Sequence, residues 1–294
     1  MTGVHDHTKR SADVGDRYRL TRIAFDVISA FGCLRAQGLP GPVIVGILDE
    51  HGYSSSSVHN QLVRMVHRSI LTSEKVGRVT VYRLGERILS GFMDIAGDRE
   101  APTFDGCFHS ALYSIPETSR MLRDRFQYVA RMLGYRQLRP GLLLSFADLS
   151  YELSAQLPEV AEPGWCEFAT IRPESQEAAV RMTSRAFDLE AASLQLPRLE
   201  DALAALSLND RQPGAGHPDM SLVKFFDIYF QVAQAVMSHP ILPPALVGPD
   251  QPALRFRTLM DRCNLEYYLR FDQQLLERAG ASSAFDLIEW LPNR

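Results

Sequence analysis

The sequence predicts an α+β protein with an N-terminal winged helix-turn-helix, a ferredoxin-like α/β middle domain and an all-helical C-terminal domain. Three observations carry this expectation. Between Tyr53 and Leu84 the apolar period changes from that of a helix to that of two strands about a short turn. From Cys107 to Phe187 strand-like and helical stretches alternate, and after Pro197 the pattern is helical to the end. The expected boundaries are a disordered arm over 1–17, the winged domain over 18–90, the middle domain over 104–190 and the helical domain over 197–294.

In order, residues 18–37 carry Leu20, Ile23, Ala24, Val27, Ile28, Phe31 and Leu34 at helical spacing, and Gly38-Leu39-Pro40-Gly41-Pro42 ends that helix. Pro42 suits the first turn of a second helix reaching about His51. The run Ser54-Ser55-Ser56-Ser57 offers side-chain oxygens to the unpaired amides of a third helix. Val58, Leu62, Met65 and Val66 form its apolar stripe, which turns Ser56, Asn60, Val63, Arg64 and His67 outward. Leu71–Val76 and Val79–Leu84 then read as a hairpin about Gly77-Arg78.

Such a helix can enter a major groove while the hairpin reaches the flanking backbone. The expected base-edge residues are Ser56, Ser57, His59, Asn60, Arg64 and His67, with Asn60 suited to adenine and Arg64 to guanine. Arg68, Lys75 and Arg78 are expected at phosphates. On the helix alone, a polar surface helix beside an ordinary hairpin explains the pattern equally well. The order of elements and the charge distribution move the balance toward double-stranded DNA. The whole chain has a formal charge of −4, but residues 1–90 hold 12 Lys and Arg against 8 Asp and Glu, and the remainder holds 19 against 27.

In the middle domain, Cys107–Ile115 reads as a strand, Glu117–Leu133 as an amphipathic helix, and Leu138–Leu149 as a buried strand around Leu142-Leu143-Leu144. A short helix over Tyr151–Leu157, a strand over Trp165–Ile171 and a helix over Glu174–Phe187 follow, with the helices expected on one sheet face. Beyond Pro197, helices are expected near 198–208, 220–237, 251–279 and 283–290. Asn209–Pro218 is read as an exposed loop, and the proline-containing Ser238–Leu246 as a segment wrapping the surface.

Cys33, Cys107, Cys166 and Cys263 are widely spaced and read as reduced thiols of a cytoplasmic protein, with neither a zinc motif nor a disulfide framework. No apolar run suggests a membrane span or signal segment. Nucleotide-binding glycine fingerprints, nucleophile elbows and metalloprotease helices are absent from the sequence, so no cofactor, metal or catalytic residue is assigned.

The pattern resembles the PaaX-type repressors of bacterial phenylacetate degradation. The resemblance rests on Gly52-Tyr53-Ser54 before Val58, on Leu62-Val63-Arg64-Met65, and on Gly77-Arg78 with Val81-Tyr82-Arg83-Leu84. It continues through Tyr113-Ser114-Ile115-Pro116, Arg120, Arg123 and Leu133-Gly134-Tyr135, then Phe225-Phe226-Asp227 before Pro240-Ile241-Leu242-Pro243. It implies a homodimeric repressor released from operator DNA by an aromatic acyl-CoA. His59 stands where the family commonly has arginine, and Phe104-Asp105-Gly106-Cys107-Phe108 replaces a tryptophan-rich segment. For an acyl-CoA effector, Arg120, Arg123, Arg125 and Arg131 on one expected helix are candidates for phosphates, Trp165, Phe226, Tyr229, Tyr267 and Tyr268 are candidates for an acyl pocket, and His239 is a further effector candidate. Two alternatives remain open: a metal-dependent nuclease using Asp105 and Asp148 on the middle sheet, and an effector-independent DNA-binding or partner-recruiting protein.

Overall fold

A computed structural model describes residues 21–85, 101–156, 165–209 and 222–292. The arm expected over 1–17, the segment expected to link domains after 86, and nearly all of the loop expected over Asn209–Pro218 lie outside the described residues. The protein is mixed α+β, with two four-stranded antiparallel sheets and many helices. In chain order the elements begin α1 (Arg22–Leu34), β1 (Ala36–Pro40), α2 (Gly41–Glu50), α3 (Ser55–His67), β2 (Leu71–Val76) and β3 (Val79–Leu84). There follow β4 (Phe108–Ser114), α4 (Arg120–Met132), β5 (Arg136–Arg139), β6 (Leu142–Ser145), α5 (Ser150–Gln156), β7 (Trp165–Ile171) and α6 (Gln176–Ala186). The chain continues with α7 (Leu189–Asn209), α8 (Leu222–Ser238), α9 (Pro244–Val247), α10 (Pro252–Arg270), α11 (Asp272–Gly280) and β8 (Glu289–Trp290).

Contacts divide these elements into two compact units that cut across chain order. The first contains 21–85, 196–209, 222–238 and 256–292, and the second 101–156, 165–195 and 239–255. Thus the late helices α8 and α11 share a unit with the N-terminal elements.

In the first unit, α1 is buried on nearly every side, including Phe25, Val27, Ile28, Phe31 and Leu34, as a helix without a polar face must be. Helices α2, α3, α8 and α11 surround it. Phe25 meets Tyr229 edge-on, with ring centroids 5.1 Å apart, a favoured aromatic geometry. The helix stops earlier than its apolar period predicts. Arg35 takes a left-handed conformation (φ 50°), and Ala36–Pro40 runs as a strand in the sheet order β2-β3-β1-β8. The C-terminal stretch expected to be helical over 283–290 instead supplies β8, which pairs with β1 through Ala36↔Trp290 and Gly38↔Glu289.

In the second unit, the buried stretch expected as one strand is two, β5 and β6, turned at Pro140-Gly141 where Gly141 has φ 80°. The sheet order is β5-β6-β4-β7. Alternation along β4 feeds two separate cores, because successive side chains point to opposite faces. Ala111 and Tyr113 join Leu143, Phe126, Ala130 and Leu153 on one face. Phe108 and Leu144 join Ala179, Ala186, Phe187, Leu242 and Leu246 on the other. Helices therefore cover both faces, not one. The second cover includes the proline-containing segment, whose Leu242 and Leu246 are only 2% and 4% exposed.

That segment is held by Gln251, a buried amide whose Nε2 donates to the Leu242 carbonyl (2.9 Å) and whose Oε1 accepts from the Leu242 amide (2.7 Å). Replacing Gln251 by Ala leaves both backbone groups unpaired and is expected to cost about 2–3 kcal/mol in denaturant-induced unfolding of this unit. Gln251→Glu should also destabilise, since a carboxylate cannot donate to the carbonyl.

Candidate nucleic-acid interface

Helix α3 begins where its sequence provides a cap. Ser54 has extended backbone angles, and its hydroxyl oxygen accepts from the Ser57 amide. Val58, Leu62 and Met65 are fully buried and fix one face; Gln61 joins them and is also buried. The opposite face is exposed over Ser56, Ser57, His59, Asn60, Val63, Arg64, His67 and Arg68. His59 Nδ1 lies 2.7 Å from the Ser55 carbonyl, so its proton is donated there and Nε2 is left for an outside partner. Arg64 donates to the Asn60 carbonyl through Nε (3.3 Å), leaving the ends of the guanidinium outward.

The β2–β3 ladder runs from Leu71↔Leu84 to Val76↔Val79, closing on a two-residue turn in which Gly77 has φ 62°. Lys75 and Arg78 flank this tip and are exposed. Among the described residues, no carboxylate pairs with Arg64, Arg68, Lys75 or Arg78. Arg83, nearer the hairpin base, is different. It is held by Glu74 (2.9 Å) and Glu289 (2.5 Å), so its charge is already balanced.

The entry to α3 is positioned by a polar network that the sequence alone did not reveal. Asp26 on α1 is wholly buried, and its carboxylate accepts from Arg22 Nε (2.8 and 3.0 Å) and from the Tyr53 hydroxyl (2.9 Å). Burial, then the charge and hydrogen bond of Asp26, push the Tyr53 hydroxyl above its ordinary pKa. Arg22 also binds Asp227 on α8. His51 Nδ1 lies 3.3 Å from Asp26 without the alignment of a hydrogen bond, and its ring packs 4.2 Å from that of Phe226. The turn between α2 and α3 is thereby tied to α1 and α8. The available signals were Asp26 within an otherwise apolar helix and Gly52-Tyr53 before the serine run.

The effector candidates divide between the two units. Phe226 and Tyr229 belong to the first unit's aromatic core with Phe225 and Tyr267, and the Tyr229 hydroxyl donates to Asn264 (2.6 Å). Arg120, Arg123, Trp165 and His239 belong to the second unit. Arg123 is bound by Glu117, which also lowers that carboxyl's pKa, and Arg120 lies 3.8 Å from Asp124. Trp165 is half exposed at the start of β7, opposite Ser114. His239 lines a cavity of ≈ 10 Å³ with Phe187, Leu189, Leu242 and Gln251, space for about one water. Burial, then the charge of Arg136, lower the His239 imidazole, so the ring is neutral at pH 7.

No family model matches the chain, and no curated protein matches it. Among solved structures, the chain is similar to an uncharacterized protein, Rv0674, from Mycobacterium tuberculosis, at 19% identity and a TM-score of 0.48, over 80% of this chain and 88% of the other.

Removing the Asp26 carboxylate leaves the partly buried Tyr53 hydroxyl without its acceptor and Arg22 with Asp227 as its remaining carboxylate. Asp26→Ala is expected to cost about 3 kcal/mol or more in unfolding of the first unit, and to speed amide hydrogen exchange over 51–57 more than over 71–84.

Proposed function

We propose that the protein is a DNA-binding transcriptional regulator whose elements α1 to β3 act as a winged helix-turn-helix, with α3 as the helix that reads bases. The observation that carries this reading is the pairing of one polar, outward face on α3 with cations at Arg64, Arg68, Lys75 and Arg78 that no carboxylate among the described residues pairs. Ser56, Ser57, His59, Asn60, Arg64 and His67 meet base edges in this reading, and Arg68, Lys75 and Arg78 meet phosphates.

The β-α-β-β-α-β order of the second unit, with strands arranged β5-β6-β4-β7, supports a ferredoxin-like middle domain whose second face is closed by α6 and α9. By its resemblance to PaaX-type repressors, the protein acts as a homodimeric repressor in the cytoplasm, and an aromatic acyl-CoA releases it from operator DNA. Among the described residues, no helix is long and apolar enough to cross a membrane. An acyl-CoA using Arg123 must displace Glu117 from it.

The test is binding of the purified protein to duplex DNA across a series of salt concentrations. Arg78→Ala should weaken binding to all sequences alike and reduce the salt slope by about 1. Asn60→Ala should lower the ratio of specific to nonspecific affinity by about tenfold, as expected of a residue contacting a base edge. If neither substitution alters duplex binding, the assignment of α3 and the hairpin fails. Aromatic acyl-CoA thioesters should raise the melting temperature and lower operator affinity together, whereas the matching free acids should do neither.

A further inference from the structure

The sequence assigned no metal to this chain, and the strongest site outside the interface is a cluster at the head of β4. One carboxylate oxygen of Asp105, the sulfur of Cys107 and one ring nitrogen of His109 all lie within 4.8 Å of one another. Cys107 and His109, two residues apart across the start of β4, turn to the same side, and Asp105 is brought to them by the turn before the strand. Gly106 makes the close approach possible: its φ of 92° folds the chain so that Cys107 Sγ donates to Asp105 Oδ1 at 3.2 Å. His109 is fixed in turn by its ladder neighbours Ser145 and Thr170 on either side. We infer that Asp105, Cys107 and His109 form an open, three-ligand site for zinc or a similar borderline-soft divalent cation.

The chemistry selects that class of ion. Tetrahedral coordination with bonds of roughly 2.0–2.3 Å sets neighbouring ligand atoms about 3.3–3.8 Å apart. The observed 3.2 Å between sulfur and oxygen is close to that spacing, and the histidine nitrogen, within 4.8 Å of both, must close in only slightly to complete the set. A thiolate and an imidazole suit zinc, and they are poor partners for magnesium, which takes oxygen ligands. The site therefore differs in kind from the paired-carboxylate arrangement of a magnesium nuclease. Three protein ligands leave a fourth position for water or an external donor. A second carboxylate, Asp148, is near the cluster: hydrogen bonds from Ser150 hold its pKa low, with the His109 ring contributing. A cysteine ligates a cation as its thiolate, so metal binding must expel the thiol proton that Cys107 now donates to Asp105.

The inference does not rest on DNA binding and is tested on the full chain, stripped of metal under reducing conditions and titrated with cobalt(II), with zinc as competitor. One cobalt per chain is expected, giving sulfur-to-cobalt charge transfer in the near ultraviolet and the intense visible bands of a tetrahedral site. Cys107→Ser should abolish the charge-transfer band. Asp105→Asn and His109→Gln should each weaken binding ~10-fold or more. Calorimetry in buffers of different ionisation enthalpy should report release of about one proton per zinc. Cys166→Ser and a His5→Ala/His7→Ala variant should bind as the unaltered protein does. Absence of cobalt binding, a charge-transfer band that survives Cys107→Ser, or loss of binding in the His5/His7 variant alone would each overturn the site.

Discussion

The first unit depends on one buried carboxylate. Asp26 is wholly buried in a largely apolar helix, and a carboxylate taken from water without partners is costly. Arg22 and Tyr53 offset that cost by donating to the carboxylate. Tyr53 belongs to the turn that starts α3, so satisfying Asp26 fixes where that helix begins. Arg22 reaches on to Asp227 of α8, so the same carboxylate couples the placement of the outward helix to an element two hundred residues later.

The hairpin shows a comparable division between structural and available charge. Arg83 sits between Glu74 and Glu289, and these hydrogen bonds raise its affinity for its proton while tying β3 to the C-terminal strand. Gly38 makes room for this arrangement. A Cβ there would lie 2.3 Å from Glu289 Oε2, so any larger residue forces that carboxylate away from Arg83. Positive charge at the hairpin base holds the sheet together, whereas among the described residues no carboxylate pairs with Lys75 or Arg78 at the tip. A count of basic residues along the chain cannot distinguish the two.

In the second unit a short, four-stranded sheet is stabilised by covering both faces. The inner strands β4 and β6 are apolar on both sides, which explains the unbroken run Leu142-Leu143-Leu144. A segment with three prolines can serve as part of the cover because Gln251 supplies the hydrogen bonds that its backbone cannot form within a helix or sheet. The edge strand β7 is largely exposed, including Trp165 and Glu167, consistent with its position at the sheet margin.

The sequence by itself determined the local elements wherever period, caps and turn residues agreed. The serine cap and apolar stripe of α3, the Gly77-Arg78 hairpin and the strand Trp165–Ile171 needed no distant partner to be recognised. The outward face of α3 was legible for the same reason, since helical geometry assigns faces from spacing alone. Only the tertiary structure decided what depends on distant pairing. Ala36–Pro40 is a strand because β3 and β8 lie beside it, although its Gly and Pro read as a helix stop. Phe226 is buried and Tyr229 half-buried in an aromatic cluster in which Tyr267 and Phe25 meet them, a packing that spacing alone does not specify. Asp105, Cys107 and His109 carried no motif, and they converge because a left-handed glycine brings a carboxylate and a thiol together at the head of a paired strand.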